Sequence, residues 1–185
     1  VASQNVTPVT SIGGYELLVI TPEEWVSHFD DYKAHYDARG LRTKVVALED
    51  IYAVSEGRDE QEKIRTFISQ EYENEGVMMV LLGGDSNLVP YRGLYCYVME
   101  DYEDPGLPSD MYYVCLDGTW NDDDDELWEE MEQDDLLPEL AIGRMPFNNE
   151  TQFNNMMHKT LEYQTNPVLG EFNDIVLGAE HLGDG

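Results

Sequence analysis

Short apolar runs and amphipathic stretches alternate along the first half of the chain. Residues 15–20 (YELLVI) form an apolar run. Aromatic side chains then recur at helical spacing, at Trp25, Phe29, Tyr32 and Tyr36. This pattern predicts a strand followed by a helix that ends near Gly40. Between them, Thr21 is expected to cap the helix, with Pro22 at its first position and Glu24 completing a capping box.

The strand–helix unit then repeats. Residues 43–47 (TKVVA) predict a second strand, and residues 51–54 predict a short turn. A second helix is predicted at 59–72, with inward positions at Ile64, Phe67, Ile68 and Tyr72. Residues 77–82 (VMMVLL) are apolar throughout, as in a parallel sheet covered on both faces. The alternation predicts an α/β fold with a mostly parallel sheet flanked by helices.

The second half of the chain is less regular. After residues 83–85 (GGD), a long irregular stretch is predicted to about residue 135, and such stretches are usually functional or held by a ligand. Order returns with a strand at 140–144. The helix predicted at 149–165 has an inward stripe of Phe153, Met156, Met157, Thr160 and Leu161. Residues 174–178 (DIVLG) predict a last strand.

Charge and hydropathy narrow the class of protein. The chain has 39 Asp and Glu against 10 Lys and Arg, a formal net charge of −29, so it is expected to bind no nucleic acid. Bound cations, a salty habitat and simple solubility all remain as explanations of this negative charge. No apolar run approaches the roughly 18 residues of a membrane helix. Residues 1–14 are interpreted as a polar lead-in, compatible with removal of a signal or propeptide, and 15–185 as one domain.

An acidic segment suggests a cation site. Asn121, Asp123 and Asp125 have the alternate spacing of a calcium loop, and Glu132 falls where its bidentate glutamate would lie. The sixth position is Glu126 rather than the glycine that the sharp turn needs, which argues against a true EF-hand. Structural calcium and a solvated acidic loop both remain open.

Two further aspartates have two interpretations each. Asp85 follows a predicted parallel strand, where open α/β sheets place their ligands. It is also typical of a turn residue that binds its own backbone, which we favour. Asp110 is expected to anchor a loop or to bind a cation, and the neighbouring Tyr112 and Tyr113 to pack.

The cysteines and histidines provide no recognisable catalytic setting. Cys96 and Cys115 lie among apolar residues and tyrosines, typical of buried small hydrophobes, and a bridge between them is allowed but not required. A structural or solvated role is expected for His28, His35 and His158. The residues alone predict an acidic, cation-binding α/β domain.

Five segments, taken in order, carry a family resemblance. They are 15–22 (YELLVITP), 80–85 (VLLGGD) with Val89-Pro90, 109–113 (SDMYY) with 116–118 (LDG), 138–146 (PELAIGRMP), and 159–163 (KTLEY) with Asn166-Pro167. Together they resemble the catalytic domain of gingipain-type cysteine peptidases, over nearly the whole chain. The resemblance implies a caspase-haemoglobinase-like fold, of which residues 15–185 would be the first, N-terminal subdomain.

The resemblance also implies a catalytic set of a thiol, a histidine in a Gly-His pair and a glutamate that orients it. Glu180, in Gly178-Ala179-Glu180, matches the glutamate, and a surface carboxylate is the alternative. His181 follows Glu180 rather than glycine, so it does not match the histidine. The Gly-His pair and the cysteine are expected beyond residue 185, in a C-terminal half that would be this chain's partner.

Members of this family are typically secreted and carry structural calcium, so the resemblance implies an extracellular or cell-surface protein. The implied calcium ligands lie in the loop at 117–135 and are Asp117, Asn121, Asp123, Asp125 and Glu132. The expected function is part of a secreted cysteine endopeptidase acting on proteins or peptides, inactive as this chain alone. The alternative is a non-catalytic, calcium-stabilised surface or adhesion module. A flavodoxin-like domain is weaker, because residues 21–24 (TPEE) are explained as a helix start.

Overall fold

A computed structural model describes residues 14–97, 103–129, 137–171 and 175–178. The strands are β1 (Leu17–Thr21), β2 (Thr43–Ala47), β3 (Met79–Gly83), β4 (Arg92–Tyr97), β5 (Glu103–Ser109) and β6 (Ala141–Met145). The α-helices are α1 (Asp30–Asp37), α2 (Leu48–Val54), α3 (Glu60–Glu75) and α4 (Glu150–Thr165). Short 3-10 helices lie at Glu23–Phe29, Met111–Tyr113 and Leu169–Glu171. No described helix is long and apolar enough to cross a lipid bilayer.

Four strands form a parallel sheet in the order β2-β1-β3-β6. In register, Leu17 lies between Thr43 on β2 and Met79 on β3, and Met79 pairs with Ala141 on β6. Because all four strands run the same way, their carboxyl ends meet at one edge of the sheet. Open α/β sheets place their ligands at this edge.

Helices cover both faces of this sheet, as the uninterrupted apolar strands predict. All five residues of β1 are buried. On one face, Leu18 and Ile20 belong to a core with residues of α2 and α3. On the other face, Leu17 and Val19 pack in a core with residues of the first 3-10 helix, α1 and α4. The result is a three-layer arrangement with a separate core on each side of the sheet.

The start of the first helical segment differs from the prediction. Thr21 ends β1, and its hydroxyl donates a buried 2.6 Å hydrogen bond to the carbonyl of Gly83 on the neighbouring strand. The 3-10 helix at Glu23–Phe29 begins after Pro22 without a side-chain cap. The predicted capping box is therefore wrong, because Thr21 satisfies a buried backbone group of the sheet instead.

Two predicted irregular regions are ordered. Residues 51–54, predicted as a turn, belong to α2. Part of the long stretch after residue 83 forms an antiparallel ribbon of β4 and β5 with a β-bulge between Leu94 and Cys96. The sequence of β5, EDPGLPS, contains two prolines and a glycine that are typical of turns. A two-stranded ribbon tolerates them because β5 is an edge strand with one partner.

The predicted last strand is absent from its described part, residues 175–178, while Asp174 lies outside the described residues. Ile175, Val176 and Leu177 are 84%, 93% and 90% exposed. A strand forms only where another strand completes its hydrogen bonds, and these residues pair with none in the described part of the chain. Three consecutive apolar side chains consequently face solvent.

Candidate functional site

The carboxyl edge of the sheet is formed where β3 and β6 end. The amide of Gly84 donates to the carbonyl of Met145, and that of Asp85 donates to the carbonyl of Phe147, both at 3.0 Å. Gly84 has φ +151°, and a Cβ there would lie 2.8 Å from the Cβ of Leu88. Only glycine fits this turn without strain. The chain therefore reverses tightly after β3 and brings Asp85 to the edge.

Asp85 satisfies both interpretations of its position. One carboxylate oxygen accepts from the amide of Ser86 at 2.7 Å, as a turn residue does, and the other accepts from the side-chain amide of Asn148 at 2.7 Å. The Ser86 amide and then the Asn148 side chain lower the pKa of Asp85 below its usual value. An ionised, partly exposed carboxylate thus lies at the carboxyl end of a parallel strand.

Arg144, on β6, joins this turn to a distant segment. Its Nε and Nη2 donate to the two oxygens of Asp110 at 2.8 and 2.6 Å. Its other hydrogen bonds go to the carbonyls of Gly84, Val89 and Pro90, at 2.9, 2.7 and 3.3 Å. Asp110 therefore anchors a loop, one of its two predicted roles.

The tyrosines after Asp110 pack, as predicted. Tyr112 and Tyr113 are fully buried, and the hydroxyl of Tyr113 donates to the carbonyl of Pro90 at 2.6 Å. Burial raises the pKa of Tyr113 well above the usual range, so its hydroxyl stays protonated. The carbonyl of Pro90 thus accepts from both Tyr113 and Arg144.

These segments enclose an open cleft of about 300 Å³ at the sheet edge. Its lining residues are Asp85, Ser86, Tyr91, Pro108, Ser109, Asp110 and Arg144. The lining combines carboxylates, hydroxyls and a guanidinium with the rings of Tyr91 and Pro108. Such a surface can hold an extended polypeptide through hydrogen bonds and apolar contacts.

The predicted calcium ligands lie in a loop whose oxygens bind the loop's own backbone. Asn121 is 4% exposed and makes two hydrogen bonds with the backbone of Asp125, at 2.8 and 3.1 Å. One carboxylate oxygen of Asp125 accepts from the amide of Leu127 at 2.6 Å, and Asp123 accepts from the amide of Asp125 at 3.4 Å. Glu132 lies outside the described residues.

Among the described residues, no group of three His, Cys, Asp or Glu side chains is arranged to hold a metal ion. Asp117, at the start of the loop, is exposed. The described ligands therefore do not converge as they stand. The calcium site stays a prediction, since one of its five ligands is not described.

Two arginines from outside this loop contact it. Arg65 donates to the carbonyls of Cys115, Asp117 and Gly118 at 2.9, 3.1 and 3.2 Å. Arg92, 5% exposed, stacks 3.5 Å from the ring centroid of Trp128 and donates both terminal nitrogens to Asp59 at 2.8 Å. Nothing in the local sequence pattern pointed to these arginines or to Arg144, although isolated arginines in an acidic chain are candidates for buried ion pairs.

The remaining candidates agree with their structural interpretation. Cys115 is buried with its thiol 3.6 Å from the carbonyl of Leu137, and Cys96 is half-buried on β4, so the two are not bridged. His35 lies 3.1 Å from the side chain of Gln164, and the ring of His28 packs 4.8 Å from Trp25. Glu180 and His181 lie outside the described residues.

Known proteins are similar to this chain in sequence and in fold. Gingipain R2 from Porphyromonas gingivalis is 28% identical over 162 residues, covering 86% of this chain and 18% of that protein. A gingipain R1 of the same organism is 27% identical, with 86% and 13% covered. The chain thus spans less than a fifth of the length of these relatives.

Solved structures have a similar fold. The crystal structure of the Arg-specific cysteine proteinase gingipain R (RGPB) matches with a TM-score of 0.57 and 27% identity, over 85% of this chain and 30% of that one. A complex of the Porphyromonas gingivalis RgpB pro- and mature domains also matches with a TM-score of 0.57, at 26% identity, over 80% and 29%. These neighbours confirm the predicted caspase-like α/β fold.

A family model matches residues 12–185, almost the whole chain, and is described as Peptidase family C25. The match includes the strands of the sheet, the turn at Asp85 and the loop at Asp110. It confirms the expected gingipain-like cysteine peptidase relationship. The chain belongs to peptidase family C25.

Proposed function

We propose that this chain forms the first part of the catalytic domain of a cysteine endopeptidase, with the carboxyl edge of the sheet as its active-site edge. The observation that carries the proposal is the cleft beside Asp85, at the strand ends of a peptidase-family sheet. The chain would supply one side of the substrate groove and the glutamate of a Cys-His-Glu set. The cysteine and histidine would come from residues outside these 185.

The role proposed for Glu180 depends on the segment just before it. Ile175, Val176 and Leu177 are exposed apolar residues, and in the described part of the chain β6 pairs with β3 alone. We propose that this segment adds to the outer edge of β6 as a fifth parallel strand. The order β6, α4, strand is then a βαβ unit with the usual right-handed crossover.

Strand addition would explain a groove beside β6. A cleft of about 340 Å³ there is lined by Leu81, Arg144, Met145, Pro146, Met156, Thr160 and their neighbours Tyr32 and Lys159. Apolar side chains of the added strand would fill this cleft and would thereby be removed from contact with water. Glu180, two residues past Gly178, would then lie at the same edge as Asp85.

In this arrangement Glu180 would act through the histidine. A carboxylate that accepts the imidazole N–H fixes the ring's tautomer and stabilises the imidazolium formed when it takes the thiol proton. The thiolate attacks the scissile carbonyl, the imidazolium returns the proton to the leaving amine, and water then hydrolyses the thioester. The low pKa of the nearby Asp85 keeps a second negative charge at this edge.

We further propose that the loop at 117–135 binds structural calcium outside the cell. The support is its concentration of oxygen ligands, at Asp117, Asn121, Asp123, Asp125 and Glu132. Carboxylates so close together repel one another unless a cation or water intervenes. A calcium ion would have to displace the present bonds between these side chains and the loop amides.

The experiment is a peptidase assay on the full-length gene product with a mixed peptide library. Activity that is lost after iodoacetamide treatment and in Glu180→Gln would support the proposal. Glu73→Gln, a matched change of an exposed glutamate on α3, should leave activity unchanged. A correctly folded but inactive full-length protein would favour the non-catalytic, calcium-stabilised surface module instead. Activity that survives Glu180→Gln would remove the proposed glutamate.

A further inference from the structure

All N–H groups of the Arg144 guanidinium are used in hydrogen bonds, and they form a junction between three segments at the sheet edge. Its five N–H groups make five hydrogen bonds, two to Asp110 and three to the carbonyls of Gly84, Val89 and Pro90. Its side chain is 15% exposed and that of Asp110 24%. The guanidinium has no N–H left for a substrate, so the side chain cannot donate a further hydrogen bond to a bound peptide.

The junction joins segments that are remote in sequence. Arg144 is 60 residues from Gly84, 55 from Val89 and 34 from Asp110. Each of the three segments provides cleft residues: Asp85, Ser86 and Tyr91 from the turn after β3, Pro108, Ser109 and Asp110 from the end of β5, and Arg144 from β6. These three segments are the walls of the cleft, and the hydrogen bonds of Arg144 therefore set the distances between them.

An arginine is required for this geometry. The planar fork binds both carboxylate oxygens of Asp110 and keeps further donors for the carbonyls. A lysine has one ammonium group and cannot span a bidentate carboxylate and three carbonyls. Within the turn after β3, the amides of Leu88 and Val89 donate to the carbonyl of Asp85, and the amide of Ser86 donates to its carboxylate. Without the arginine, the carbonyls of Gly84 and Val89 would lose its donors, and that of Pro90 would keep the hydroxyl of Tyr113.

We propose that Arg144, through Asp110, is a positioning residue that sets the cleft for an extended peptide substrate. This inference rests on the proposed peptidase function. Arg144 contacts the walls rather than the scissile bond, so its effect should depend on substrate length. Substrates long enough to lie in the cleft would need the junction, and short ones that reach only the reacting groups would not.

The test uses the full-length protein and two fluorogenic peptides with the same residues at the cut bond, one short and one extended at both ends. Arg144→Lys should lower kcat/KM for the extended peptide by about tenfold, mainly by raising KM, because displaced walls bind the peptide less well. The short peptide should lose less than about twofold. Arg58→Lys is the matched control, an arginine paired with Glu62 and Asp124 away from the cleft.

Two further variants test the inference if Arg144→Lys does not fold. Asp110→Asn removes the other half of the junction. Tyr91→Ala trims a wall residue that is 37% exposed and safe to shorten. Each should reduce the preference for the extended peptide. An equal loss for both peptides, or an unchanged preference in all three variants, would overturn the inference.

The two proposals fail in different ways. If activity survives Glu180→Gln but the extended-peptide preference drops in Arg144→Lys, the assignment of Glu180 fails and the junction stands. If Glu180→Gln is inactive and Arg144→Lys keeps the preference for the extended peptide, only the proposal for Arg144 fails. A full-length protein without peptidase activity overturns both.

Discussion

The carboxylates of the two acidic regions of the chain are held mainly by different kinds of partner. At the sheet edge, Asp85 and Asp110 accept hydrogen bonds from Asn148 and Arg144, which are 63 and 34 residues away. In the loop after Asp117, Asp123 and Asp125 accept from amides two residues further on. The cleft carboxylates thus depend on tertiary structure, whereas Asp123 and Asp125 are held by amides of their own loop, although Arg58 and Arg65 bind other parts of it. Perturbing the core should therefore affect the cleft, and changing the ionic conditions should affect the loop.

The largest effect is expected where the cleft meets the core, at Gly83. A Cβ there would lie 2.6 Å from Phe29 and 3.1 Å from the Cβ of Thr21. Gly83→Ala should overpack this contact and lower the free energy of unfolding by about 2–3 kcal/mol, measured by urea denaturation. Gly143→Ala is the matched control on β6, because a Cβ at Gly143 meets no atom within 4 Å. A small loss in Gly83→Ala would show that the cleft end of β3 is loosely held.

The next effect tests a long-range ion pair beside the loop, between Arg92 and Asp59. Burial alone would raise the pKa of Asp59, but the hydrogen bonds from Arg92 and from the amide of Glu62 bring it below its usual 3.8. Asp59→Asn keeps a residue able to cap α3 but leaves Arg92 without its carboxylate. It should cost about 1–2 kcal/mol at neutral pH, because a buried charged donor loses its partner.

The sign of the pH dependence follows from the lowered pKa. The stabilisation by ionised Asp59 is fully present above the unfolded-state pKa and is lost as pH falls below about 4 through the folded-state value. Thermal midpoints of the wild type and Asp59→Asn should therefore differ at pH 7 and approach each other in acid. A difference that stays constant across this range would show that the ion pair does not stabilise the loop's support.

The smallest effect is expected from calcium. Addition of calcium should raise the thermal midpoint, and EDTA should lower it again, by an amount equivalent to about 1 kcal/mol, because the ion must displace existing hydrogen bonds. Asp123→Asn combined with Asp125→Asn should remove the response, whereas Asp85→Asn at the sheet edge should retain it. A calcium-dependent change in thermal midpoint that is lost only in Asp85→Asn would place the cation in the cleft instead. No response in the wild type would leave a solvated acidic loop.

Local patterns predicted the sheet and helices well. β2 lies at the predicted 43–47, and α3 and α4 begin within one residue of their predicted starts. The two capping residues Asp59 and Asn149 accept from amides three residues on, a signal that the sequence carries directly. Apolar runs and helical periods depend on neighbours in sequence, which explains why these elements could be found.

Features that depend on distant partners were missed. The hydroxyl of Thr21 could bind a helix amide or the carbonyl of Gly83, and only the position of β3 decides between them. The prolines of β5 indicate a turn until β4 is known to lie beside it. The role of Arg144 depends on three segments that come together only in the folded sheet. The cleft residues Asp85 and Asp110 were found as candidates, but not the arginine that joins them.

The most direct test of the active-site edge is a crystal structure of the full-length protein after reaction with a peptidyl chloromethyl ketone. We expect the sulfur of a cysteine outside residues 1–185 to displace chloride and bond the methylene carbon of the inhibitor, with the peptide along the cleft at Asp85 and Tyr91. Glu180 should accept the N–H of the catalytic histidine. A peptide bound away from the carboxyl edge of the sheet, or no covalent adduct at all, would contradict the account.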